Sequence, residues 1–198
     1  MKIMMPRNSR VSEYPIDPLF LNRWSPRAMS GARLSQEDLM TLFEAARWAP
    51  SSSNEQPWRF LYAHRESPSW PLFFDLLNPG NQVWCQNASM LVVVISHKVF
   101  ERNGKPSRTH DFDAGSAWMS LALQGSLKGL VVHGMAGLDY DKARAVLGVP
   151  EDYDVEMMIA IGHPAPPETL PEKLQVNEKP NGRKKLNEIV FEGGWPKI

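Results

Sequence analysis

The sequence predicts one domain of mixed helix and strand, and three stretches predict it. Residues 35–48 open with S-Q-E-D and continue with apolar residues at helical spacing. Residues 88–96, A-S-M-L-V-V-V-I-S, form an unbroken apolar run of strand length, and residues 114–127 read as a helix without a single charge. A chain of 198 residues is long enough to bury a full core, and a single domain is the default for it.

Charge and cysteine content narrow the partners. Lysine plus arginine and aspartate plus glutamate both count 22, so no global field recruits nucleic acid or an acidic membrane. A lone cysteine, Cys85, excludes an internal disulfide framework and a cysteine-rich zinc site, and a buried, inert thiol in a reducing compartment is expected. Lys2, Arg7 and Arg10 are not followed by an apolar segment, and the run at 90–95 is too short to cross a bilayer. The expected location is the cytoplasm, with no nucleic-acid and no membrane partner.

In chain order, residues 1–16 have no clear period and predict an arm. Asp17-Pro18 is a helix start, a capping carboxylate followed by proline, with Leu19, Phe20 and Trp24 on a short helix that Pro26 ends. Ser35 opens a capping box, Leu34 and Leu39 stand as its hydrophobic staple, and Leu42, Phe43 and Ala46 extend the stripe to Trp48. A strand is predicted at 58–63, a short helix at 69–77, a turn at Pro79-Gly80 and a mid-sheet strand at 88–96.

Asp113 is placed to cap the long apolar helix. Ala114, Ala117, Trp118, Leu121 and Ala122 make one stripe and Met119, Leu123 and Leu127 the opposite one, so burial all round is expected, with a second subunit as cover. A short strand at 130–133, a turn at 134–139, a helix from Tyr140 capped by Asp139, and a strand at 155–161 follow. Pro164, Pro166, Pro167 and Pro171 predict a stiff linker that projects the last segment, with its apolar Ile189, Val190 and Phe191, away from the body.

Between the first long helix and the first strand lies A-P-S-S-S-N-E-Q-P-W, residues 49–58, which packs three hydroxyls and two carboxamides into one connection. Binding chemistry concentrates in such loops, although serine and asparagine are also ordinary turn formers. Other sites are not announced: His64, His97, His110, His133 and His163 lack metal-pair spacing, and there is no G-x-S-x-G, Walker loop or G-x-G-x-x-G. His110-Asp111 beside Asp113 reads as cap and surface. Arg23, Ser25 and Arg183 suit a phosphate, because a guanidinium offers forked donors matched to its oxygens, although Arg-Trp-Ser-Pro-Arg on its own reads first as a solvated helix end. Asn54, Gln56 and Asn81 suit the imide edge of a flavin, since a carboxamide presents donor and acceptor in one plane, while turn propensity explains each asparagine equally well.

Taken together, these segments resemble the nitroreductase family of FMN-dependent oxidoreductases, from Arg23 to about Phe191. The pattern R-x-S-x-R/K stands as Arg23, Ser25 and Arg27, and P-S-S-x-N-x-Q-P-W stands intact as Pro50 to Trp58. The family's G-F-D segment corresponds to Gly137-Leu138-Asp139, and its C-terminal basic element to Arg183 ahead of Leu186. The resemblance implies an α+β fold, a mixed sheet flanked by helices, built as an intertwined homodimer. One arm (1–16), an FMN-binding body (17–163) and a C-terminal arm (164–198) laid over the partner are expected.

The resemblance further implies that Arg23, Ser25 and Arg183 hold the FMN phosphate, with Arg27 nearer the ribityl chain and pyrimidine. Ser51, Ser52 and Asn54 approach the flavin from the other subunit, and Gln56 and Trp58 shape that loop. The backbone N–H of Ala136 or Gly137 points at flavin N5, so no catalytic side chain is nominated. NADH or NADPH is the implied hydride donor, and a nitroaromatic or quinone the implied acceptor. A specialised flavin reaction, such as dehalogenation or heterocycle oxidation, and a flavin sensor or store are the alternatives. Two departures stand out: Ala136 falls where many members carry an acid, and Trp84 where many carry a base. Arg27 is then the main group to stabilise an anionic reduced flavin, and Trp84 a wall of the substrate pocket. The short spacer between Ala88 and Asp113 leaves no room for an extended substrate-covering insertion.

Overall fold

The structure, a computed structural model, describes residues 8–196, so the first seven residues of the expected arm lie outside it. Four strands, β1 (Trp58–His64), β2 (Met90–His97), β3 (Val131–Met135) and β4 (Tyr153–Gly162), form one sheet in the order β1-β2-β4-β3. Every pairing is antiparallel, with Trp58 opposite Ser96, Met90 opposite Ile161 and Val131 opposite Gly162. The fold is α+β as expected. Within the described residues of one chain, however, the sheet is antiparallel and not mixed.

β2 lies inside this sheet and is buried along its whole length. Leu91, Val93 and Ile95 pack into a core with Phe73, Leu77 and Trp84, while Met90, Val92 and Val94 pack into a second core with Leu39, Leu42 and Leu121. Helices cover both faces, so neither set of alternating side chains meets water, and the strand reads as one apolar run. The β2–β4 register shifts between Val94 and Ile95, which face Met157 and Val155, leaving Glu156 as the extra residue of a bulge.

Two long helices form one covering layer. In α2 (Gln36–Arg47) the Ser35 hydroxyl accepts from the Asp38 N–H at 3.0 Å, and Leu34 and Leu39 are fully buried. Such a cap contributes about 1 kcal/mol. α5 (His110–Leu127) starts one turn earlier than expected: Thr109 holds the cap position and Asp113 sits inside the first turn. Its Ala114, Ala117, Leu121 and Ala122 are buried against α2 and the sheet, whereas Phe112 and Leu127 are exposed by 74% and 65%. The expected burial all round is therefore not met within one chain.

The opposite layer holds α3 (Trp70–Phe74), α4 (Pro79–Cys85) and α6 (Tyr140–Leu147). Pro79-Gly80 opens α4 and is not the expected turn: Asn78 accepts from the Asn81 N–H at 2.9 Å, and proline at the first position is preset for a helix. Asp139 caps α6 as expected, accepting from the Lys142 N–H at 2.9 Å. Cys85 is free and buried, and burial pushes its thiol up. α1 (Pro18–Asn22) ends before Trp24, and β3 runs on through Met135 into the expected turn.

The proline-rich stretch does not leave the body at once. It carries a helical turn at Pro167–Thr169 and the short α7 (Glu172–Gln175), and it buries Ala165 and Leu170. It ends on Glu178, only 4% exposed, whose Oε1 accepts from the N–H groups of Arg27 at 2.6 Å and Ala28 at 2.8 Å. This long-range cap fixes the backbone of the R-x-S-x-R segment. Glu178→Ala strands both donors and is expected to lower stability by about 2–3 kcal/mol; Glu178→Gln, which keeps an acceptor, retains most of it. Urea denaturation of the two variants checks the ranking.

Candidate functional site

The serine-rich loop is held in an uncommon conformation. Ser53, Asn54 and Gln56 have φ of 55°, 56° and 52°, and among the described residues no other non-glycine lies in the left-handed region. Each such residue costs on the order of 1–3 kcal/mol unless its surroundings impose the conformation. Here the Gln56 N–H donates to Ser51 Oγ at 3.0 Å, and Gln56 Nε2 donates to the Asn54 carbonyl at 3.0 Å. Asp113, 5% exposed, accepts from the Ser52 N–H at 3.0 Å and from the Thr109 hydroxyl at 3.2 Å. Asp113 thus anchors the loop to α5 instead of capping the helix. Ser51 and Gln56 serve the loop's own shape, while the Ser52 hydroxyl and Asn54 carboxamide make no hydrogen bond to other described residues.

A second loop follows β3. The Gly137 carbonyl accepts from the Asn78 N–H and from Asn81 Nδ2, both at 3.0 Å, and the Ala136 carbonyl accepts from the Tyr140 hydroxyl at 3.1 Å. Asn81 therefore commits its amide to the loop and leaves its carbonyl oxygen unengaged. A Cβ on Gly137 would collide with Asn78 and lie 2.7 Å from Asn81 Nδ2, so a larger residue there would displace these two carboxamides. The Gly137 N–H is donated to no other described group.

The third component is a cleft of about 500 Å³ lined by Arg10, Arg23, Ser25, Arg27, Lys179 and Arg183, with Trp24, His133 and Asn181 among the remaining walls. Among the described residues no acidic side chain lines it. Arg23 donates to Ser25 Oγ at 3.3 Å, and its acidity is raised by burial first and then by the charges of Arg10 and Arg183. Arg27 is partly balanced by Glu178, 3.9 Å away. His133 Nδ1 donates to the Pro26 carbonyl at 2.8 Å; burial, aided by Arg27 and Arg23, outweighs that bond and holds the imidazole down at about 4.

The structure thus gathers Arg23, Ser25, Arg27 and Arg183 in one cleft beside β3, and holds Asn81 of α4 against Ala136 and Gly137 in the loop that follows β3. Ser51, Ser52, Asn54 and Gln56 stand ahead of β1, the other edge of the sheet. Trp84 is no pocket wall in this chain. It is 3% exposed and packs its ring 4.6 Å from that of His133, backing the cleft from the core. His110 is not a surface cap either: its Nδ1 lies 2.7 Å from the buried Ser96 hydroxyl, which also donates to the bulged Glu156. Arg10, Lys179, His133 and Glu178 escaped the sequence reading because no local pattern surrounds them; Trp24 was legible only as a helix residue.

Comparison with known proteins bears on this arrangement. A family model described as "Nitroreductase family" matches residues 21–67. The chain is 31% identical over 124 residues to an uncharacterized 15.4 kDa protein of Mycolicibacterium smegmatis, covering 61% of this chain and 80% of that protein. A crystal structure described as an oxidoreductase containing FMN is 48% identical, with a TM-score of 0.92 over 98% of this chain and all (100%) of that one. The chain belongs to the nitroreductase family. A relative from Archaeoglobus fulgidus, provisionally named NADH dehydrogenase/NAD(P)H nitroreductase, is 27% identical over 148 residues, 74% of this chain and 83% of that protein. The nitroreductase family protein from Streptococcus pneumoniae TIGR4 shares the fold at 20% identity, with a TM-score of 0.69 over 88% of this chain and 98% of that one. This nitroreductase-family chain is accordingly an oxidoreductase by family. Among its described residues no group of side chains is disposed to hold a metal, and no helix is long and apolar enough to cross a membrane.

His133 yields a pH prediction. Its folded value of about 4 lies below the ordinary 6.5, so the unfolded chain binds the extra proton in between. This contribution is complete above pH 6.5 and is lost as pH falls towards 4. His133→Asn is expected to flatten the slope of unfolding free energy across that window, measured by urea denaturation in a buffer without phosphate.

Proposed function

We propose that this chain is an FMN-dependent oxidoreductase that takes hydride from NADH or NADPH and reduces a small organic acceptor of the nitroaromatic or quinone type, donor and acceptor using one site in turn. The observation that carries the reading is the cleft: five cationic side chains converge there with no acid among the lining residues. Like charges gathered in this way, three of them half-buried, call for a dianion, and a phosphomonoester matches both the charge and the forked geometry of guanidinium donors. The FMN in the description of the 48% identical structure, and the NAD(P)H in the name of the A. fulgidus relative, support the choice of cofactor and donor.

In this reading Arg23, Ser25 and Arg183 hold the phosphate, and Arg27 lies toward the ribityl chain and pyrimidine. Bound there, FMN supplies hydride acceptance and delivery at N5. The free N–H of Gly137, or that of Ala136, donates toward that atom, a task that needs no side chain. The carbonyl oxygen of Asn81 remains available to an imide N–H. His133 stays neutral beside the arginines, adding no further positive charge. No acid–base side chain is assigned.

The functional unit is a homodimer, with the FMN between subunits. The serine loop and the basic cleft stand at opposite edges of one sheet, so a second copy is needed to bring Ser51, Ser52 and Asn54, with Gln56 supporting them, to the flavin. The exposed Phe112, Met119 and Leu127 of α5, and Ile189, Val190, Phe191 and Trp195 of the C-terminal arm, supply apolar surface for such a partner. Residues 17–163 form the FMN-binding body, 1–16 an N-terminal arm, and 164–198 the linker and arm that reach the other subunit.

Purified protein is expected to be yellow and to release FMN on denaturation. Arg23→Ala is expected to weaken FMN binding roughly tenfold or more, as loss of charge-assisted hydrogen bonds does. Anaerobic mixing with NADH and NADPH should bleach the flavin; failure of both would favour a passive flavin binder. Colourless protein that cannot be reconstituted with FMN would remove the proposal altogether.

A further inference from the structure

We propose that Arg10 completes the phosphate end of the basic cleft and clasps the two arms of the chain across it, so that a bound phosphomonoester orders residues 8–16 and 179–186 together. The identity of that phosphomonoester as FMN rests on the function proposed above; the clasp itself does not.

Arg10 stands outside the R-x-S-x-R pattern, 13 residues before Arg23, yet its guanidinium reaches both arms. Nη1 donates to the carbonyls of Leu21 at 3.0 Å and Arg23 at 2.8 Å, which locks the chain just where it presents the Arg23 side chain. Nε donates to the Asn181 carbonyl at 2.7 Å and Nη2 to Asn181 Oδ1 at 3.1 Å, a two-pronged grip on the C-terminal arm. Asn181 Oδ1 also accepts from Arg183 Nη1 at 2.9 Å, so one carboxamide oxygen sets the spacing of two guanidiniums. Four of the five N–H groups of Arg10 are engaged, leaving one on Nη2 for a ligand. A second stitch joins the same arms: the Leu186 N–H donates to Glu13 Oε1 at 3.0 Å.

Polar stitches are the principal hold on these arms within the chain. Val11 and Tyr14 are 90% and 67% exposed, and Leu186 is 39% exposed, so little apolar burial secures either segment. Against the stitches acts repulsion among Arg10, Arg23 and Arg183, with no acid among the described lining residues to relieve it. Each arm brings one of these cations and the body the third. A dianion converts that repulsion into bridging attraction, and since it binds the joined arrangement best, it stabilises the two arms as a pair.

The test uses the full chain, Arg10→Ala and Arg10→Lys. Amide hydrogen exchange over 8–16 and 179–186 is followed with FMN, riboflavin, inorganic phosphate, or sodium chloride at matched ionic strength, alongside flavin titrations by fluorescence. In the wild type, FMN and inorganic phosphate should slow exchange in both segments, while riboflavin and chloride do not. Arg10→Ala should lose protection in both segments and bind FMN at least about tenfold more weakly with riboflavin affinity unchanged. Arg10→Lys, which keeps the charge but not the fork, should recover part of the affinity without the joint protection. Unchanged FMN affinity in Arg10→Ala, an equal loss of riboflavin affinity, or protection confined to one segment would overturn the clasp. If wild type binds no FMN, the function proposed above fails, and joint protection by inorganic phosphate still decides the clasp for or against.

Discussion

Burial of β2 on both faces is the constraint from which the rest of the structure follows. A strand with no polar face must be covered twice, so α2 and α5 occupy one side of the sheet and α3, α4 and α6 the other. With both faces closed, only the edges and ends of the sheet remain for chemistry. The serine loop leads into one edge strand, β1, while the cleft and the Gly137 loop border the other, β3. The distance between these half-sites is a consequence of the core, and it is the reason the proposed site needs two chains.

The residues that shape the site are mostly not the ones proposed to touch a ligand. Asp113 holds the strained serine loop through the Ser52 N–H, Glu178 caps the backbone that displays Arg27, and Asn78 with Asn81 presses on Gly137. All are polar groups that a low-dielectric surrounding makes costly to leave unpaired, and each is paired with backbone, the one partner that fixes a loop's path. Positive charge is treated in the opposite way. In the cleft the chain assembles five cations and places a nearby carboxylate, Glu178, under the backbone, where it relieves Arg27 only weakly.

Local patterns predicted local structure well. The Ser35 cap, the Asp139 cap, the strand at β1 and the double-faced burial of β2 were all legible, because each depends on residues adjacent in sequence or on simple periodicity. Where the reading failed, a competing local rule or a distant partner prevailed. Pro79-Gly80 is equally compatible with a turn and with a helix start, and the Asn78 cap decides for the helix. Asp113 has the composition of a cap, but its partner lies 61 residues away in the serine loop. The proline-rich stretch was expected to project as an extended linker, yet it turns helically at Pro167–Thr169 and Ala165, Leu170 and Glu178 tie it to the body.

By itself, the sequence determined the family, through the contiguous P-S-S-x-N-x-Q-P-W stretch and the order of the weaker segments around it, and it marked Arg23, Ser25 and Arg183 as phosphate candidates. Only the tertiary structure decided that these three share a cleft, that Arg10 and Lys179 join them, that Trp84 backs His133 from the core, and that the serine loop lies at the other edge. The physical reason is range. Caps, turns and strand periods are settled by neighbours a few residues apart, whereas a cluster of like charges forms only when segments more than 150 residues apart, such as Arg10 and Asn181, are brought together by hydrogen bonds that no local pattern encodes.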